Sequence, residues 1–89
     1  MNKTTFMKKV RNYLTTMNPD AKLVMIDYNK EDGTHNTHFL VIDSHAIINK
    51  YYISTNIDET EMYVKRYFLD DSTYKHEGEY IEIECPIFN

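Results

Sequence analysis

Four histidines, one cysteine and several close carboxylate pairs are the residues of this chain that could do chemistry. His35 and His38 stand three apart, a spacing that on a strand sends them to opposite faces. A closed zinc site wants four ligands at compact spacing, and Cys85 is the one soft ligand available. Cys85 paired with a histidine could form a nucleophile and its base. It sits on the apolar side of an alternating segment just before Pro86, where an inert buried thiol is expected. Glu59/Glu61 and Asp70/Asp71 could share acid/base work, yet no second motif aims either pair at a substrate. The residues therefore predict no catalytic site, no metal site and no cofactor.

Elements must position whatever function remains. Phe6, Met7, Val10, Tyr13, Leu14 and Met17 recur at helical period, with Lys8, Lys9, Arg11, Asn12, Thr15 and Thr16 opposite. Asn18-Pro19 should stop this helix, Asn18 taking the left-handed position and Pro19 refusing another turn. Lys22–Tyr28 reads as a strand, Asn29–Gly33 as a hairpin loop with Gly33 at positive φ, and Thr34–Asp43 as the returning strand. Asp43-Ser44-His45 is a turn. Residues 46–54 fit either a helix or a third strand; their Ile/Tyr content favours the strand, on which Tyr51 and Tyr52 must face apart. Asp58 and Glu61 resemble a capping box, which predicts a second helix through Tyr63, Val64, Tyr67, Phe68 and Leu69, ending near Asp70-Asp71-Ser72. Glu79–Phe88 alternates as a C-terminal strand, which Pro86 confines to a sheet edge. The expected fold is a single α+β domain over 1–89: an N-terminal helix, a three-stranded antiparallel sheet, a second helix and a C-terminal strand (αβββαβ), with the helices on one sheet face.

Charge is divided along the chain. Residues 1–54 hold seven Lys/Arg against five Asp/Glu, and residues 55–89 hold three against nine. At 89 residues with a net charge of −4, an acidic surface that steers a basic partner is the main functional signal. Side chains at i and i+2 of a strand stand roughly 6.6 Å apart, so Tyr80, Glu82 and Glu84, beside Glu77 and Glu79, would form an acidic strip. The same charges also protect an edge strand from aggregation. Eight tyrosines suit an interface as well as a core. The candidate partner-binding residues are Asp58, Glu59, Glu61, Asp70, Asp71, Glu79, Tyr80, Glu82 and Glu84. The acidity argues against general nucleic-acid binding. Apolar runs of four residues are too short for a membrane span, and the start MNKTTFMKK lacks a signal core. The single cysteine suits a reducing cytoplasm.

The order helix, three strands, helix is similar to that of double-stranded-RNA-binding domains, whose second helix opens on a lysine-rich clamp. Asp58-Glu59-Thr60-Glu61 has the opposite charge at that position, which sets the family aside. Asn49-Lys50-Tyr51-Tyr52-Ile53-Ser54 followed by Asp58-Glu59-Thr60 resembles a strand–helix junction in small acidic phage proteins that inhibit CRISPR nucleases. The ending on a strand instead of helices departs from that family. The resemblance implies a non-enzymatic, phage-encoded inhibitor working in the host cytoplasm, whose carboxylates occupy a nucleic-acid-binding surface of a defence nuclease. Three alternatives stay open: self-association, such as a homodimer, through tyrosines and an edge strand; a small enzyme or metal-binding regulator built on the histidines and Cys85; and nucleic-acid binding by Lys8, Lys9 and Arg11.

Overall fold

The computed structural model describes residues 1–68 and 80–83, with backbone only for Phe68 and 80–83. Among these described residues, one helix, α1 (Lys3–Met17), lies on a five-stranded antiparallel meander of β1 (Lys22–Glu31), β2 (Thr34–Ile42), β3 (Ile48–Thr55), β4 (Met62–Phe68) and β5 (Tyr80–Ile83), in that spatial order. The α+β character is as expected.

The helix starts at Asn2, whose side chain accepts from the Thr5 N–H at 2.8 Å and so satisfies one free amide of the first turn. It ends at Asn18, but not in the left-handed conformation foreseen. Asn18 has φ −137°, and both its backbone N–H and its side-chain amide donate to the Leu14 carbonyl. Phe6, Val10 and Leu14 of the apolar stripe are fully buried. They meet alternate residues of the sheet: Phe39 and Val41 from β2, Tyr51 and Ile53 from β3, Met62 and Val64 from β4. Each such apolar side chain contributes about 1.5–3 kcal/mol relative to exposure. Met17, expected on the stripe, is exposed.

The expected loop Asn29–Gly33 is shorter than foreseen: Asn29, Lys30 and Glu31 pair with β2, so β1 runs on to Glu31 and the first hairpin closes through Asp32-Gly33 alone. Both residues take positive φ, 52° and 80°, the geometry of a type I′ turn that matches strand twist. In the second turn Asp43 takes the N–H groups of His45 and Ile47 on one carboxylate oxygen. Residues 48–55 are a strand, with Tyr51 buried under the helix and Tyr52 on the opposite face.

The expected second helix is a correction. Met62–Phe68 is strand β4, paired with β3 along its length. The apolar spacing of Tyr63, Val64, Tyr67 and Phe68 satisfies a helical period, but Met62 and Val64 are buried while Tyr63 between them is exposed. That alternation is what pairing to β3 rewards. The three-stranded sheet is accordingly five-stranded. β5 falls inside the expected C-terminal strand and adds to β4 at the sheet edge, with Lys65 opposite Glu82 and Tyr67 opposite Tyr80 in backbone register. Among the described residues, no helix is long and apolar enough to cross a membrane.

Candidate functional site

Two loops meet at one end of the sheet: the Asp32-Gly33 turn and the β3–β4 connection, residues 56–61. Asn56 builds the second. Its side-chain oxygen accepts from the N–H groups of Thr60 and Glu61 at 2.9 and 3.0 Å, and its amide nitrogen donates to the Thr60 hydroxyl. Asp58 and Glu61 therefore cap no helix. They belong to a tight loop in which Glu59 takes φ 57° and Asp58 is exposed. Ile57 projects beside Gly33 and is 73% exposed.

A groove of about 400 Å³ opens at this end, lined by residues including Asp27, Glu31, Asp32, His38, Tyr52 and Ile57. A β-bulge in β1, between Met25 and Asp27, decides which side chains enter it. The extra residue, Ile26, reverses the alternation, so Asp27 lies across from His38 and Tyr28 across from Thr37. Asp27 Oδ1 then meets the His38 ring nitrogen Nδ1 at 2.8 Å and accepts the His38 backbone N–H at 3.1 Å. The His38 and Tyr52 rings lie 4.8 Å apart, and the Tyr52 hydroxyl donates to Asn36. The floor is thus a fixed aromatic pair, and the rim carries carboxylates.

On the helix side of the same sheet end, a polar chain runs through the core. His35 is fully buried and stacks on Phe6 at 5.0 Å. Its Nε2 lies 3.2 Å from Glu59 and its Nδ1 2.8 Å from the Tyr28 hydroxyl. The tautomer that donates Nε2–H to the carboxylate leaves Nδ1 to accept from Tyr28. The other oxygen of Glu59 pairs with the Met1 ammonium. That ammonium, chiefly, holds the Glu59 carboxyl below its ordinary value; partial burial opposes it, and the bond to His35 reinforces it.

His35 and His38 thus face apart, as their spacing requires. Among the described residues, no three His, Cys, Asp or Glu side chains gather as a metal site. Of the predicted partner-binding residues, Asp58, Glu59 and Glu61 share the β3–β4 loop, and Glu59 turns inward to His35 and Met1 instead of presenting itself to a partner. Tyr80 and Glu82 lie on the β5 backbone. Asp70, Asp71, Glu79 and Glu84, like Cys85, lie outside the described residues. The sequence reading missed Asp27, Glu31 and Asp32, because net charge averaged over residues 1–54 hides a local cluster. The Asp-Gly turn was the available signal, since a two-residue hairpin brings its flanking acids together.

Compared with known proteins, the chain matches no family model, no curated protein and no solved structure.

Proposed function

We propose that the chain is a non-enzymatic binding protein whose acidic sheet end occupies a basic, nucleic-acid-binding surface of a partner, the mode of action of a phage-encoded inhibitor of a host-defence nuclease such as a CRISPR effector. The observation that carries this reading is the convergence of Asp27, Glu31 and Asp32 from the first hairpin around a groove bordered by the exposed Ile57. Carboxylates grouped around an aromatic floor and one exposed aliphatic side chain suit arginine. Its guanidinium pairs bidentately with a carboxylate and stacks on a ring face. Asp58, exposed in the loop that carries Ile57, adds to the negative field, and long-range attraction would speed encounter at low salt.

The test is nucleic-acid cleavage by a panel of purified CRISPR effector nucleases, with and without the protein, at low and moderate salt. One effector should be inhibited, with inhibition weakened by salt and by the combined change Glu31→Gln, Asp32→Asn and Asp58→Asn. If no effector is inhibited, or if the neutralised variant inhibits equally well, this reading fails.

A further inference from the structure

β1 ends the sheet on the side away from β5, and among the described residues nothing pairs with its outer edge. It is the longer of the two terminal strands, ten residues against four, and none of its ten is buried. Every second residue of such an edge directs its N–H and C=O outward, where another strand can pair with them. Met25 and Ile26 add apolar surface, 39% and 48% exposed. The strand carries Lys22 and Lys30 against Asp27 and Glu31, no net charge in a chain of −4, so β1 does not repel a second copy of itself.

The bulge at Ile26 limits how two copies of β1 can pair. Leu23, Met25, Tyr28 and Lys30 lie opposite the buried residues of β2 and share the helix-bearing face. Lys22, Val24, Asp27, Asn29 and Glu31 lie opposite its half-buried residues and share the open face. β2 runs past the bulge without interruption, so residues of β1 that share a face also direct their N–H and C=O groups toward the same edge. In antiparallel pairing about a twofold axis perpendicular to the sheet, directly opposed residues must share a face. Of the registers that obey this, one sets all ten residues of β1 opposite all ten of the copy. Lys22 then faces Glu31, Leu23 faces Lys30, Val24 faces Asn29 and Met25 faces Tyr28, each of them twice. The axis falls between Ile26 and Asp27, so bulge meets bulge. Lys22 and Glu31 are exposed and in no ion pair among the described residues. The register with full overlap is thus also the one that places opposite charges across from each other at both ends.

We propose that β1 pairs in this register with β1 of a second copy of the chain, joining two five-stranded sheets into one continuous sheet with both helices on the same face. A twofold contact occupies both β1 edges and closes at a dimer. Pairing of β1 with the β5 edge of another copy would instead propagate without closing. The inference goes beyond the function of the acidic groove and is read from mass and amide protection, so either can fail without the other.

The experiment is sedimentation equilibrium of the full chain over a concentration series, for wild type, Lys22→Glu and the exchanged pair Lys22→Glu/Glu31→Lys. Hydrogen exchange of the β1 amides is recorded at the lowest and highest concentrations. Wild type should approach the mass of two chains and no more, and alternate amides of β1 should gain protection as it does. Lys22→Glu sets like charges across from each other at both ends and should raise the dissociation constant by at least about tenfold. The exchanged pair restores opposite charges and should return to within about threefold of wild type. Both positions are exposed, so both variants keep the fold, as circular dichroism would verify. A monomer at every concentration, assembly beyond two chains, a Lys22→Glu dimer as tight as wild type, an exchanged pair no tighter than Lys22→Glu, or a dimer without added protection in β1 would each overturn the proposal.

Discussion

The Nε2 of His35 lies 3.2 Å from Oε1 of Glu59, so a fully buried ring is bonded to a carboxylate carried by the β3–β4 loop. Through Tyr28, Phe6 and the Met1 ammonium, this one pair ties β1, β2, the β3–β4 loop and the start of α1 together. The His35 backbone N–H adds β3, donating to Thr55 Oγ1 at 2.9 Å. The chain is therefore anchored by a polar junction at the same sheet end that presents the acidic groove on its far face.

Truncating this junction should be costly. His35→Ala removes a ring with no solvent exposure and leaves the Tyr28 hydroxyl without its partner, so a loss of roughly 2–4 kcal/mol is expected in urea unfolding. His38→Ala, on the open face, should cost less than about 1 kcal/mol, because its pair with Asp27 is half in water. Equal losses for the two variants would show that the burial difference does not govern.

Glu59 sets a pH dependence of definite sign. Its carboxyl titrates below the ordinary 4.5 in the folded chain, held down first by the Met1 ammonium. The stabilisation is therefore fully present above that ordinary value and is lost as pH falls through the lower, folded value. Wild type should exceed Glu59→Gln in urea midpoint at neutral pH, and the gap should close only below the ordinary carboxylate range. A gap that stayed constant into strong acid would contradict the linkage.

The first hairpin depends on one backbone conformation. Gly33 holds φ 80°, and a Cβ there would meet only Ile57 Cγ2, at 3.9 Å. Space is available, so Gly33→Ala should cost only the left-handed backbone penalty, about 1–2 kcal/mol. Because Asp32 and Ile57 border the groove, the substitution should also shift their amide resonances.

Asn56 should matter more than its exposure suggests. Asn56→Ala deletes three side-chain hydrogen bonds within the β3–β4 loop. We expect a loss of about 1–2 kcal/mol in thermal or urea unfolding. Amide exchange should speed up selectively over residues 57–61, the loop that delivers Glu59 to His35.

Local pattern determined much of this protein. The stripe of Phe6, Val10 and Leu14 specified α1, Gly33 marked the positive-φ point of the first hairpin, and the odd spacing of His35 and His38 put them on opposite faces. These are features of a few consecutive residues, fixed by helical or strand periodicity and by backbone sterics. Only the tertiary structure decided that Met62–Phe68 is a strand. Its residues suit both periods, and hydrogen bonding to β3 over the buried Met62 and Val64 selects one. Likewise, no spacing rule announces the bulge at Ile26, which exists because β1 must register on β2 on both sides of it. That one extra residue carries Asp27 to His38 and Tyr28 to His35, and so composes both the acidic groove and the buried junction. Local sequence supplied the side chains; pairing between strands distant along the chain chose which of them meet.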